Sequence, residues 1–114
     1  MKIYHNSRCS KSRDGYNLLK EKGVDFETVE YLKNPLTEAE LTALLAKLNM
    51  RAKDLVRKGE SAFKENFKGK ELSETEWIAA MVKFPKLIER PIIVKGNKAV
   101  IGRPIEKVLE LLAE

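Results

Sequence analysis

Cysteine and histidine occur once each in the 114 residues, tryptophan once and proline four times. A single cysteine closes no intramolecular disulfide, so a disulfide-stapled scaffold is excluded. With no charged-then-apolar leader at the opening, a reducing cytoplasm is the expected compartment. One Cys and one His leave a tetrahedral metal set two ligands short, and no metal is expected. Aromatic residues make up 7% of the chain and do not interleave with its lysines, which removes the stacking platform of a nucleic-acid binder. No apolar run approaches the roughly 18 residues that a membrane span requires. Repeats, linkers and low-complexity segments are missing as well, and no surplus apolar stripe calls for a second copy, so a monomer is expected.

What is present is charge of both signs. Twenty-two Lys and Arg face 17 Asp and Glu, a formal net charge of +5. The lysines alternate with glutamates through 20–40 and 58–76 without forming a block, the pattern of a mixed, solvated surface. Neither nucleic acid nor a membrane is expected as a partner, and a small anion remains compatible.

The length suits one domain, residues 1–114, which at this size buries roughly two-thirds of its unfolded surface. Residues 2–5 read as a first strand, Ser10–Lys22 as a helix with Asp14 in its first turn and Gly23 as its stop, and "VDFETVEYL" (24–32) as a second strand. Together they form a parallel βαβ unit. The middle is helical: "LTEAEL" supplies Thr37 as N-cap with Glu40 three residues on, and "LSETEW" repeats this with Ser73 and Glu76. Leu41, Leu44, Leu45 and Leu48 line one face of the first of these helices. Between them "RAKDLVRKGESAFKENF" forms one or two short helices, and Pro85 ends the last. "PIIVKGNKAVIG" reads as a hairpin through Gly96-Asn97. A final helix follows Pro104 with Ile105, Val108, Leu109 and Leu112 as its apolar face. The order βαβ … ββα describes an α/β, thioredoxin-like layer, a mixed four-stranded sheet with a helical insert at about 36–85 between its halves.

The chemistry concentrates in "HNSRCSKSR", residues 5–13. Cys9 falls where the first strand turns into the helix, beside backbone N–H groups that have no partner within the helix. Arg8, Lys11 and Arg13 add positive potential, and the hydroxyls of Ser10 and Ser12 are in reach to donate. Such settings lower a thiol's pKa and make it a nucleophile at neutral pH. A lone cysteine is also commonly a small buried hydrophobe, but polar, basic neighbours at a helix start favour the reactive reading. His5 either stabilises the thiolate, shuttles a proton or satisfies a backbone group. Among the arginines, Arg57, Arg90 and Arg103 stand out, the last two because each precedes a proline at the margin of a regular element. A guanidinium offers a planar fork that grips a tetrahedral oxyanion through two oxygens.

"YHNSRCSKSR", "EYLKNP", "LIERPIIV" and "AVIGRPIEKVLELL" carry a resemblance, over essentially the whole chain, to the glutaredoxin-coupled arsenate reductases and their close relatives. That resemblance implies a thioredoxin-like fold with a helical insert and a Cys9 that attacks arsenate. It further implies Arg57, Arg90 and Arg103 as holders of the oxyanion and its product, His5 and Ser12 as groups that keep the sulfur ionised, and a cis Arg90-Pro91 peptide. Ser7 stands where many relatives have proline. Ser12 stands where a related group of regulators carries a second cysteine, so a dithiol switch is excluded. No cofactor is expected to be bound; glutathione is the implied co-substrate and glutaredoxin the implied protein partner. Two rivals share the thiol: a monothiol glutathione-dependent oxidoreductase without arsenate activity, and a redox-sensing regulator that binds a protein. An oxyanion cradle of three arginines favours the first reading, because a plain disulfide exchanger needs none.

Overall fold

The pairing of four short strands is what sets the cysteine in place. The computed structural model describes all 114 residues, which divide into two compact units, Met1–Asn34 with Arg90–Glu114, and Pro35–Glu89.

The first unit holds the whole sheet. Strand β1 (Lys2–Tyr4) pairs in parallel with β2 (Glu27–Val29) and antiparallel with β3 (Ile92–Lys95), which pairs antiparallel with β4 (Lys98–Ile101), in the order β2-β1-β3-β4. This is the mixed four-stranded layer expected from the order of elements. Ile3 sits opposite Ile93, and both are fully buried. Helix α1 (Ser10–Glu21) lays Leu19 on that pair, and the C-terminal helix α6 (Glu106–Leu112) adds Val108 and Leu111. Each such side chain, taken fully out of water, contributes about 1.5–3 kcal/mol. Gly96, at φ +61°, makes the β3–β4 turn, where a side chain would be strained.

Three details depart from the sequence reading. Strand β2 covers 27–29 and not 24–32, because its ladder runs only as long as the three residues β1 offers. Asp14 falls beyond the first turn of α1, which contains no acidic residue. The final helix starts at Glu106, so Ile105 is its cap and not its first core position; the buried pair is Val108 and Leu111, while Leu109 is 41% exposed.

The second unit is helical. Helices α2 (Glu38–Leu48) and α5 (Glu74–Lys83) both start with complete capping boxes, Thr37 with Glu40 and Ser73 with Glu76, each satisfying two otherwise orphaned N–H groups. Two short helices, α3 (Ala52–Leu55) and α4 (Ser61–Asn66), lie between them in sequence. The Glu74 carboxylate accepts from the Ala52 N–H through both oxygens at 3.0 Å, which seats the start of α3. Helix α5 stops before a 3₁₀ turn at Pro85–Leu87.

Candidate active site

The loop from β1 to α1 is tied down by short local bonds. Asn6 accepts the Cys9 N–H on its carbonyl at 3.0 Å and the Arg8 N–H on Oδ1 at 3.0 Å, and donates its own N–H to Ser12 Oγ at 2.9 Å. Arg13 Nη1 reaches back to the Ser7 carbonyl at 2.9 Å. Cys9 is therefore the N-cap of α1, in extended conformation, with its carbonyl accepting the first helical N–H from Arg13 at 3.0 Å. Its side chain closes no regular cap hydrogen bond. The N–H groups of Ser12 and Lys11 nevertheless act on the sulfur as donors, as the polarity of a helix start dictates.

Two arginines complete the surroundings of the sulfur. Arg103 Nη2 donates to Cys9 Sγ at 3.2 Å, while Arg103 Nε donates to the Arg90 carbonyl at 2.6 Å. The buried Arg90 side chain also donates to the sulfur. Burial raises the pKa of the thiol, but the Ser12 N–H, the Arg90 hydrogen bond, the Lys11 N–H and the Arg90 charge outweigh it and leave it lowered to about 7. A substantial fraction of Cys9 is thiolate at neutral pH.

A proline ring holds the two arginine segments in register. Both Arg90-Pro91 and Arg103-Pro104 peptides are cis. The Gly102 N–H donates to the Pro91 carbonyl at 2.8 Å. The Pro91 ring fills a slot between Gly15 of α1 and Gly102, where a Cβ on either glycine would come within 2.9 Å of Pro91 Cγ.

His5 is buried and shares a hydrogen bond of 2.7 Å between Nδ1 and Ser12 Oγ, and its ring stacks on Tyr16 at 5.0 Å. Burial lowers its pKa, the Glu30 charge pulls it back up, and Arg13 lowers it further; the net direction is downward, so the imidazole is neutral at pH 7. The structure thus sets His5 on Ser12. The Ser12 hydroxyl is committed to His5 and the Asn6 N–H, and what Ser12 offers the sulfur is its backbone N–H.

Of the residues picked from the sequence, Cys9, Arg90 and Arg103 meet directly, and His5 and Ser12 form the layer behind them. The side chains of Arg8, Ser10, Lys11 and Arg13 are exposed around the turn. Arg57 belongs to the second unit, where its Nε faces Glu89 at 3.4 Å; its role toward Cys9 is carried by the resemblance alone. Asn6, Gly15, Tyr16 and Gly102 complete the site without having been singled out. A glycine inside the helical pattern at position 15 was the one available signal of a close approach.

The chain is similar, along nearly its whole length, to proteins of known sequence and structure. The model of the ArsC family matches residues 4–111. An Escherichia coli protein described as "Uncharacterized protein YfgD" is 54% identical over 114 residues, covering 98% of this chain and 96% of its own length. An arsenate reductase of Haemophilus influenzae is 39% identical over 112 residues, covering 96% of this chain and 97% of its own. Among solved structures, an arsenate reductase from Vibrio cholerae superposes with a TM-score of 0.90 at 40% identity, over 96% of this chain and 97% of that one. With the sequence matched from β1 to α6 and the thioredoxin-like layer shared, the chain belongs to the ArsC family.

Proposed function

We propose that the protein is an arsenate reductase that draws its electrons from glutathione and glutaredoxin. The observation that carries this reading is the Arg103 fork, which bonds the Arg90 carbonyl through Nε and the sulfur through Nη2 while the thiol sits at about 7. A cation committed to the nucleophile at hydrogen-bond distance meets any tetrahedral oxyanion that approaches the sulfur.

In the proposed reaction the Cys9 thiolate forms a bond to As(V) and one arsenate oxygen leaves as hydroxide, protonated to water. Arg90 and Arg103, with Arg57 as the resemblance assigns it, neutralise the oxygens that carry the charge. The thiol of glutathione then displaces a second oxygen from arsenic as water. A thiolate of glutaredoxin attacks the glutathione sulfur, and the glutathione S–As bond breaks and leaves its electron pair on arsenic. Water hydrolyses the remaining Cys9–As(III) bond to return the thiol, so that of the two waters lost one is taken back. Arsenate gains two electrons and becomes arsenite, one water is released, and two thiols end as one disulfide. Because Cys9 is the only cysteine, the resolving thiols are external, and glutaredoxin is the partner that reduces the glutathione mixed disulfide. His5 and Ser12 act through the turn they brace, not on arsenate.

The test is NADPH oxidation in the presence of glutathione, glutathione reductase and glutaredoxin, started by arsenate. The expected result is a rate that depends on arsenate and on glutaredoxin and vanishes in Cys9→Ser. A protein whose thiol is reactive but whose rate ignores arsenate would overturn the proposal in favour of a monothiol oxidoreductase.

A further inference from the structure

The proposed reaction requires an external thiol to reach Cys9, and the surface next to the sulfur contains a groove that no step above uses. It has a volume of about 380 Å³ and runs between the first two turns of α1 and the Gly102–Glu106 segment. Its charged lining is of mixed sign: Lys11 and Asp14 from α1, Arg103 and Glu106 from the other wall. Lys11 and Asp14 are three residues apart and so share one helix face. The groove and the sulfur have two residues in common, since Arg103 Nη2 lies 3.2 Å from Sγ and the Lys11 N–H is one of its donors.

Gly102, Pro104 and Ile105 make the rest of the lining, which is more apolar than polar, so the groove suits neither a bare oxyanion, which two carboxylates would repel, nor a wholly apolar molecule, which would leave four charges unmatched. It fits a small zwitterion that carries carboxylates and an ammonium on either side of its reactive atom. We propose that the groove is the docking subsite for glutathione, with Asp14 and Glu106 receiving the γ-glutamyl ammonium and Lys11 receiving a carboxylate. The tripeptide's central cysteine is thereby delivered to the Arg103 end, where Sγ stands. The volume is within the range of roughly 300–1,000 Å³ that small-molecule sites occupy. The inference rests on the reading of Cys9 as a glutathione-linked thiol, and assigns that reading a place and two specificity-determining carboxylates.

The step that tests it involves no arsenic. Cys9 thiolate attacks glutathione disulfide, a Cys9–glutathionyl S–S bond forms, the original S–S bond breaks, and one glutathione leaves as thiolate. The electrons balance without a further reagent. Rates of mixed-disulfide formation are measured by mass spectrometry for the wild type, Asp14→Asn, Glu106→Gln and the double variant. The probes are glutathione disulfide, its bis-N-acetylated form, and neutral bis(2-hydroxyethyl) disulfide.

The wild type is expected to prefer glutathione disulfide over the acetylated form, and the double variant to lose that preference by roughly fivefold, as two partly exposed ionic contacts allow. Far-ultraviolet circular dichroism of each variant guards against unfolding, and the single variants provide the readout should the double variant fail to fold. Equal preference in wild type and variants, or a wild type indifferent to acetylation, overturns the subsite. The arsenate-started assay fails or succeeds separately: a wild type indifferent to acetylation, or variants that keep the wild-type preference, with arsenate turnover intact rejects the groove alone. A confirmed preference with no arsenate turnover keeps the groove and rejects the reductase.

Discussion

Gly15→Ala is the perturbation that asks most directly whether packing behind the site sets the chemistry in front of it. A Cβ at position 15 would stand 2.9 Å from Pro91 Cγ, 3.4 Å from Pro91 Cβ and 3.8 Å from Ile93 Cδ1. Carbon atoms prefer about 3.5–4.0 Å, so the proline ring must retreat by roughly half an ångström or more. Overpacking of this kind costs about 1–3 kcal/mol, and replacing Gly by Ala inside a helix returns about 1 kcal/mol. The net loss is therefore at most about 2 kcal/mol, a drop of about 1 M in urea midpoint for a slope near 2 kcal/mol/M. The more telling effect is on Cys9. Arg90 precedes the displaced ring and supplies both a hydrogen bond and a charge to the sulfur, so its retreat moves the thiol pKa up from about 7 toward that of free cysteine. Iodoacetamide alkylation followed against pH reads that midpoint, and urea titration of the same sample reads stability. A variant that loses stability while its alkylation midpoint stays at about 7 would refute the reasoning, because the guanidinium would then be placed independently of the slot.

Three further outcomes follow from the same contacts. Arg103→Lys keeps the charge but not the fork that joins the Arg90 carbonyl to the sulfur. One charged hydrogen bond is worth about 1.5–3 kcal/mol, so arsenate kcat/KM should fall about 10- to 100-fold with the circular dichroism spectrum unchanged, and wild-type kinetics would remove Arg103 from the cradle. Ser12→Ala strands the Asn6 N–H inside the protein and should cost about 1–3 kcal/mol of unfolding free energy in urea. Its alkylation midpoint should stay close to that of the wild type because the residue 12 N–H survives; a large rise would make the hydroxyl a direct partner of the sulfur. For His5, the folded pKa lies below the unfolded value near 6.5, so the unfolded chain binds more protons as the pH falls. Stability contributed by the neutral ring is full above about pH 6.5 and is lost as pH drops toward the folded pKa. Urea midpoints measured from pH 7.5 down to 5 should decline more steeply in the wild type than in His5→Gln, and parallel profiles would count against a buried neutral imidazole.

Local grammar made most of the fold legible before any coordinates. The capping boxes at Thr37 and Ser73 and the hairpin of two β-branched runs joined through Gly96-Asn97 each carry their signal within a few residues, and each formed as expected. Cys9 was legible for the same reason, since its place at the start of α1 depends on neighbours at 6–13. What the sequence did not disclose is non-local. Nothing in the run around Gly15 announces that Pro91 will press on it, and nothing near Gly102 announces that it will form the opposite wall of the same slot. The phase of α6 escaped for a subtler reason. Ile105 has the right character for a core position, but it serves as the cap, and counting from it turned Leu109 inward when the helix turns it out. In the sequence Asp14 reads only as a helix-start charge and nothing singles out Glu106, because a shared place on one groove exists only in the folded chain.

In the proposed reaction, arginines shared between thiol and oxyanion would let a single sulfur suffice for the attack on arsenic. Before the proposed reaction, Arg103 Nη2 is committed to the ionised Cys9, and its Nε is anchored 2.6 Å from the Arg90 carbonyl. When the sulfur bonds to arsenic its negative charge is spent, and the formal charge resides on the arsenate oxygens a bond length further out. A planar guanidinium anchored by one nitrogen need not move far to follow the charge from sulfur to oxygen, so little reorganisation is paid for at the moment of attack. Reversing the order gives the same account of product release: once arsenic departs as arsenite, a weak and largely neutral acid near pH 7, the guanidinium loses its ligand and the restored thiolate reclaims it. Thiol activation and oxyanion binding are on this view one electrostatic device used at two stages, which is why weakening the fork should move the alkylation midpoint and arsenate turnover together.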